Sequence, residues 1–111
     1  MTYTVTRTYT KSSDATLWPW ENDGYYGGLD NLKSEGKLTN INISDDGNTH
    51  TNTHTWASKS DYDNMRDDTV FQSTSSSWKT YMALNNISCR IVEEDGSVLV
   101  FNPSSKSFEA E

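Results

Sequence analysis

Two histidines four residues apart, His50 and His54, are the residues of this sequence best suited to proton transfer or metal binding. They lie in the alternating run 49–57, where every second side chain points to the same face of a strand. Four residues of strand span roughly 13 Å, so the pair cannot share a metal ion within one chain. A proton-transfer role stays open for either imidazole and for Asn52 between them, beside the alternative of two hydrogen-bonded structural histidines.

No other pattern in the sequence specifies a cofactor or a metal. The single cysteine, Cys89, excludes a Cys-based zinc site, and its place between Ile87 and Ile91 predicts a buried structural thiol. The acidic stretches that begin at Asp45 and Asp61 lack the glutamate that closes a calcium-binding loop. A G-x-S-x-G motif, a glycine-rich phosphate loop and a nucleotide-binding motif are also missing from the sequence. We therefore expect no cofactor and no metal.

The composition is that of a small acidic protein. The chain has 111 residues and a formal net charge of −7, from 9 lysines and arginines against 16 aspartates and glutamates. This excess of negative charge argues against nucleic acid and membrane surfaces as partners, because both require clustered cations. The chain has no apolar run near the ~18 residues of a membrane span, and its first residues lack the apolar core of a signal peptide. A cytoplasmic location is the resulting expectation.

Alternating apolar and polar residues predict the strands of a sheet. An Asp-Gly pair at 46–47 separates two of these runs, which is typical of a hairpin turn. A second Asp-Gly pair, at 95–96, follows a later run. The predicted strands cover 2–10, 37–44, 49–57 and 87–93. The apolar residues 98–101 either pair with the preceding strand or extend the edge of the sheet.

The same alternation predicts which side chains share a face. A two-residue turn at 46–47 pairs Ile43 with His50 and places Leu38 on the face opposite the histidines. Arg7 falls on the aromatic, inward face of the first strand. A buried guanidinium without a partner is costly, so we expect it to pair with a carboxylate of the chain or of a ligand.

Two helical regions are predicted between the strands. The first covers 25–35 and ends at Gly36, which suits a helix C-terminus. The second begins after Ser58, whose hydroxyl can cap it. It is interrupted at 67–69 and continues over 69–84 with one apolar stripe.

The order of these elements predicts an α+β fold of the ferredoxin-like βαββαβ type. Its antiparallel four-stranded sheet carries both helices on one face. A single domain is expected over 1–101, followed by a polar C-terminal tail over 102–111. The other face of the sheet carries ladders of threonine, which are either exposed to solvent or covered by a second copy of the chain.

The segment Trp56-Ala57-Ser58-Lys59-Ser60-Asp61-Tyr62-Asp63-Asn64-Met65 resembles a strand-to-helix junction of the dimeric α+β-barrel superfamily. This superfamily includes antibiotic-biosynthesis-monooxygenase-type and stress-responsive A/B-barrel proteins, in which a Trp often ends the third strand and an aromatic residue follows in the next helix. The interrupted helix and the closing strand fit as well, so the resemblance covers roughly residues 37–95. It implies a homodimer with two facing sheets. The Trp-Pro-Trp segment at 18–20 and Gly27-Gly28 depart from the long first helix of such proteins.

A group of aromatic and sulfur-containing residues is the best candidate for a ligand site. These residues are predicted to line a gap between sheet and helices, the kind of apolar cleft in which small molecules bind, and the alternative is an ordinary core. Arg7 joins the group because a ligand carboxylate suits it. The candidate ligand-binding residues are Arg7, Tyr9, Trp18, Trp20, Trp56, Tyr62, Phe71, Trp78, Tyr81 and Met82.

Three functions are open on this basis. The first is binding of a small apolar or amphiphilic, fatty-acid-like molecule in the cleft. The second, which the resemblance implies, is a cofactor-independent monooxygenase or isomerase acting on an aromatic or polyketide-like substrate. Its candidate catalytic residues are His50, His54 and Asn52, with Trp56 for substrate stacking. The third is a structural dimer module with a filled core and no ligand, so the sequence leaves open whether the protein is an enzyme.

Overall fold

Six antiparallel strands form one sheet in the computed structural model, which describes residues 1–19, 34–67 and 69–111, with the backbone alone over 69–75. The sheet order is β2-β3-β1-β4-β5-β6. Two helices, α1 and α2, lie between β3 and β4, so the fold is α+β as predicted. The elements are β1 (Tyr3–Thr10), β2 (Leu38–Asp46), β3 (Thr49–Trp56), α1 (Lys59–Asp67), α2 (Thr69–Leu84), β4 (Ser88–Glu93), β5 (Val98–Asn102) and β6 (Ser107–Ala110).

The first four strands lie in the order β2-β3-β1-β4, and every neighbouring pair is antiparallel, which is consistent with a ferredoxin-like sheet. The prediction of four strands is wrong for the described residues, because β5 and β6 extend the sheet beside β4. β6 lies in the segment expected as a polar tail. Its Phe108 ring packs 5.5 Å from the ring of Phe101, which ties the end of the chain to the sheet.

The two faces of the central strands differ as the alternation predicts. Val5 of β1 and Trp56 of β3 are completely buried on the face that packs against Tyr62 of α1. Threonines occupy the other face of both strands, where Thr6 lies opposite Thr53 and both are partly exposed. The core therefore lies between the sheet and the helices.

The hairpin of β2 and β3 has a register two residues away from the predicted one. Its turn is Gly47-Asn48, and Gly47 adopts a φ of +60°, which glycine reaches without steric cost. Asp45, rather than Ile43, therefore lies opposite His50. Because a shift of two residues keeps every side chain on its own face, the inward orientation predicted for β3 is confirmed.

An irregularity at the start of β2 reverses the predicted orientation of Leu38. The register shifts between Leu38 and Asn40, and Leu38 pairs with Trp56. A bulge inserts one extra residue and so turns the side chains on one side of it over to the other face. Leu38 is 1% exposed within the core, and its predicted place on the outer face is wrong.

The helices that follow β3 begin and end close to where the sequence predicts. The N–H of Asp61 donates a hydrogen bond of 3.1 Å to Ser58 Oγ, which confirms Ser58 as the N-cap of α1. α2 covers the predicted span, 69–84. The first predicted helix, 25–35, lies almost wholly outside the described residues, although Gly36 has the φ of +78° expected after a helix. Neither described helix has the length and apolar character that crossing a membrane requires.

Candidate functional site

Arg7, Asn52 and His54 form a polar cluster on the otherwise apolar inner face of the sheet. The register places Arg7 of β1 directly opposite Asn52 of β3, and His54 lies two residues further along β3, opposite Val5. Directly opposed side chains have Cβ atoms about 5 Å apart, and diagonal neighbours remain within reach of long side chains. Asn52 and His54 are each 6% exposed. We call these three residues the Arg7 cluster.

Arg7 is a buried cation without a carboxylate partner among the described residues. None of the ion pairs in the described part of the chain includes it. Burial opposes its charge, but Tyr9, Tyr62 and Cys89 interact with the guanidinium, and the balance keeps the pKa of Arg7 above its ordinary value. The side chain therefore stays positively charged at every accessible pH.

Arg7 is deeply placed on the inner face of the sheet but is not completely buried. Protein atoms surround its guanidinium densely, yet the side chain keeps part of its accessible surface. Its neighbour on the other side of β1, Ile91, is almost completely buried. Arg7 therefore remains partly accessible beside a buried apolar neighbour.

Three buried polar atoms of the Arg7 cluster have no hydrogen-bond partner among the described residues. They are Arg7 Nε, Asn52 Oδ1 and His54 Nε2. A buried donor or acceptor without a partner costs about 1–3 kcal/mol, so native proteins rarely leave several of them together. The cluster therefore offers one cationic donor, one neutral acceptor and one imidazole nitrogen to a group that is not among the described residues.

The imidazole of His54 is neutral at physiological pH. Burial, and secondly the charge of Arg7, lowers the pKa of His54 to about 4. A neutral imidazole has one donor and one acceptor nitrogen, so Nε2 can take either role according to the tautomer. General bases work best with a pKa near the operating pH. His54 is therefore better suited to hydrogen bonding with a ligand than to removing a proton from one.

Two tyrosines hold the buried carboxylate of Glu93 close to the cluster. Tyr3 donates a hydrogen bond of 2.8 Å to one carboxylate oxygen, and Tyr62 donates one of 3.4 Å to the other. Burial and then Glu93 raise the pKa of Tyr3, and burial raises the pKa of Tyr62, so both phenols stay protonated as donors. Arg66 approaches the same carboxylate at 3.8 Å. Tyr62 also interacts with Arg7, so it contacts both the guanidinium and Glu93.

His50 lies near the start of β3, and its contacts differ from those of His54. Its Nδ1 is hydrogen-bonded to Asp45 Oδ1, and the ring itself is 4% exposed. The ring centroids of Trp18 and Tyr9 lie 5.8 Å and 6.4 Å from that of His50. His50 and His54 therefore do not form one catalytic unit.

The predicted ligand-binding residues fall into separate places. Trp56 lies behind the cluster, with its ring 6.4 Å from His54 and 5.7 Å from Tyr62. Tyr81 donates a hydrogen bond of 2.8 Å to the carbonyl oxygen of Leu17 and is partly buried. The structure brings Arg7, Tyr9, Trp56 and Tyr62 together, sets Trp18 beside His50, and distributes Trp78, Tyr81 and Met82 along α2. Trp20 and the side chain of Phe71 lie outside the described residues.

Two acidic residues of these sites escaped the sequence interpretation. Glu93 continues the inward alternation of Cys89 and Ile91 on β4, so strict alternation could have identified it. Asp45 could not be identified from the assumed turn, because the register placed Ile43 opposite His50. Cys89 is buried as predicted, and burial raises the pKa of its thiol to about 12.

The described residues contain no group of three or more His, Cys, Asp or Glu side chains arranged to hold a metal ion. Comparison of the chain with protein-family models, curated proteins and solved structures finds no significant match in any of the three. The Arg7 cluster must therefore be interpreted from its own chemistry.

Proposed function

We propose that the protein binds a small amphiphilic molecule, with a carboxylate at Arg7 and an apolar portion between the sheet and the helices. The observation that carries this proposal is the buried guanidinium of Arg7, which has no carboxylate partner in the described part of the chain. The chain offers many possible carboxylate partners, because acidic residues outnumber basic ones by 16 to 9. A structural arginine in such a chain is expected to pair with one of them.

A carboxylate is the anion that fits this position best. Its two oxygens can accept parallel hydrogen bonds from a guanidinium, and hydrogen bonds to charged groups contribute about 1.5–3 kcal/mol each. Val5 and Ile91 flank Arg7 on the inner face, and both are almost completely buried. The charge of Arg7 therefore has apolar neighbours, which suits a ligand that carries an apolar group beside its carboxylate.

The second candidate, a cofactor-independent monooxygenase or isomerase, draws on the same residues. Its proton-transfer step requires a base whose pKa lies near the working pH. The pKa of about 4 at His54 makes that imidazole a weak base. The electrostatics of the Arg7 cluster therefore favour ligand binding over this reaction.

A homodimer of the dimeric α+β-barrel type belongs to the same proposal. The order β2-β3-β1-β4 and the partly exposed threonine face support it, because a second sheet can cover that face. Light scattering during size-exclusion chromatography tests this part separately. We expect about twice the chain mass of 12.6 kDa, and a monomer would contradict the dimer without affecting the ligand proposal.

The ligand proposal is tested by calorimetric titration with decanoate and with decanol, which share an alkyl chain but differ in the carboxylate. Wild-type protein is expected to bind decanoate at least ten times more tightly than decanol. Arg7→Met should reduce decanoate affinity at least tenfold and leave decanol affinity unchanged, because only the charge pair is lost. Arg90→Met is the matched control, since Arg90 is exposed and already paired with Glu111. Equal decanoate affinity in Arg7→Met and wild type, or no binding by wild type, would contradict the proposal.

A further inference from the structure

The two groups at the centre of the Arg7 cluster have opposite hydrogen-bonding character. Arg7 and Asn52 are register partners on neighbouring strands and point to the same face. Arg7 Nε can only donate, and Asn52 Oδ1 can only accept. Both atoms are buried, and neither has a partner among the described residues, so they do not bond to each other.

A simple carboxylate satisfies only one of these two atoms. At neutral pH its oxygens are acceptors, so they suit Arg7 but not Asn52 Oδ1. A carboxylate oxygen beside the amide oxygen brings two acceptors together and leaves Asn52 Oδ1 without a bond. The ligand therefore needs a donor close to its carboxylate.

We propose that the ligand of this site is a hydroxy carboxylic acid, whose carboxylate accepts from Arg7 while its neighbouring hydroxyl donates to Asn52 Oδ1. This inference rests on the proposed function and specifies its ligand class. The hydroxyl lies on the second or third carbon, because Arg7 and Asn52 are directly opposed and their Cβ atoms are about 5 Å apart.

An ammonium group is a poorer donor for this place than a hydroxyl. Arg7 already supplies a buried positive charge, and together with burial it keeps the neighbouring His54 neutral. A second cation would meet the same repulsion. His54 Nε2, which also lacks a partner among the described residues, can bond to the carboxylate or to the hydroxyl according to its tautomer.

The size of the expected preference follows from the buried acceptor. A site built to hydrogen-bond a hydroxyl rejects the analogue that lacks it, because its own polar group is then left unpaired. We expect the better of 2-hydroxydecanoate and 3-hydroxydecanoate to bind wild-type protein at least ten times more tightly than decanoate. The three acids share one chain length and one charge, so the comparison isolates the hydroxyl.

Two variants of Asn52 complete the calorimetric experiment. Asn52→Leu should abolish the preference for the hydroxy acid, because the buried acceptor that the hydroxyl satisfies is then absent. Asn52→Asp places a carboxylate opposite Arg7, and this internal pair should remove the binding of all three acids. Asn52→Asp is expected to fold because it satisfies the guanidinium, so the test does not depend on the leucine variant. Circular dichroism confirms that each variant is folded.

The outcomes separate the two proposals. Wild-type protein that binds decanoate and the hydroxy acids equally overturns the hydroxy-acid inference and leaves the proposed function standing. A preference that survives in Asn52→Leu, or hydroxy-acid binding that survives in Asn52→Asp, also overturns the inference. Failure of wild-type protein to bind any of the three acids overturns the proposed function itself.

Discussion

Arg7 on β1 and Asn52 on β3 face each other across the buried side of the sheet, yet neither Arg7 Nε nor Asn52 Oδ1 has a hydrogen-bond partner among the described residues. This relationship, which holds for the described part of the chain, is unusual for the inside of a protein. Residues retained only for stability would be expected to pair with each other or to be apolar. Unsatisfied polar groups in a core require an explanation, and the ligand proposed above would supply one.

The first prediction concerns the effect of Arg7 on the stability of the protein. Arg7→Met should leave the free energy of unfolding equal to or higher than that of wild type, because a buried charge without a carboxylate partner among the described residues is replaced by an apolar chain of similar length. Urea denaturation at pH 7 without ligand measures the difference. Arg90→Met serves as the control and should change stability by less than about 1 kcal/mol, since its ion pair is exposed. A loss of more than about 1 kcal/mol in Arg7→Met would show that the arginine has a structural role.

The second prediction concerns pH and His54. The pKa of His54 is lowered from 6.5 to about 4, so between these values the unfolded chain binds a proton that the folded protein does not. Stability is therefore unaffected above pH 6.5 and falls as the pH decreases towards 4, by up to about 3 kcal/mol from this residue. His54→Gln cannot titrate and should gain about that much relative to wild type between pH 7 and pH 4. Urea denaturation of both proteins at pH 7 and pH 4 measures this effect. The same difference in unfolding free energy between variant and wild type at the two pH values would refute the assignment.

The third prediction concerns the pair formed by Asp45 and His50. Asp45→Ala removes the hydrogen-bond partner of a buried imidazole nitrogen and should destabilise the protein by about 1–2 kcal/mol. Asp46→Ala is the matched control, because this neighbouring carboxylate is exposed and should contribute less than about 0.5 kcal/mol. Thermal and urea denaturation measure both variants. Equal effects would show that the contact with His50 does not stabilise the hairpin.

The fourth prediction compares two leucines that differ in burial. Leu38→Ala should cost about 2–5 kcal/mol, because Leu38 is 1% exposed beside Trp56. Leu84→Ala at the end of α2 should cost less than about 1 kcal/mol, since Leu84 is 76% exposed. Urea denaturation of the two variants tests the bulge directly. If Leu38 occupied the outer face, as simple alternation predicts, both substitutions would have similar small effects.

Local patterns predicted the elements where each residue's neighbours in the chain decide its conformation. The N-cap at Ser58, the span of α2 and the inward direction of Arg7 are of this kind, because capping and alternation act over a few residues. The α+β class and the order of the first four strands are consistent with the same patterns. The turn position was missed by one residue, since both Asp46-Gly47 and Gly47-Asn48 suit a two-residue turn.

The features that the local patterns missed depend on contacts between distant parts of the chain. The bulge beside Leu38, the addition of β5 and β6 and the pairing of Asp45 with His50 follow from how whole strands pack, and alternation contains no information about them.

The sequence by itself determined that Arg7 points into the molecule, because its strand alternates. Only the tertiary structure decided that Glu93 is held by Tyr3 and Tyr62, and that Asn52 lies opposite Arg7. Hydrogen bonding and ion pairing act over a few ångströms in space, and separation along the chain does not reveal that distance.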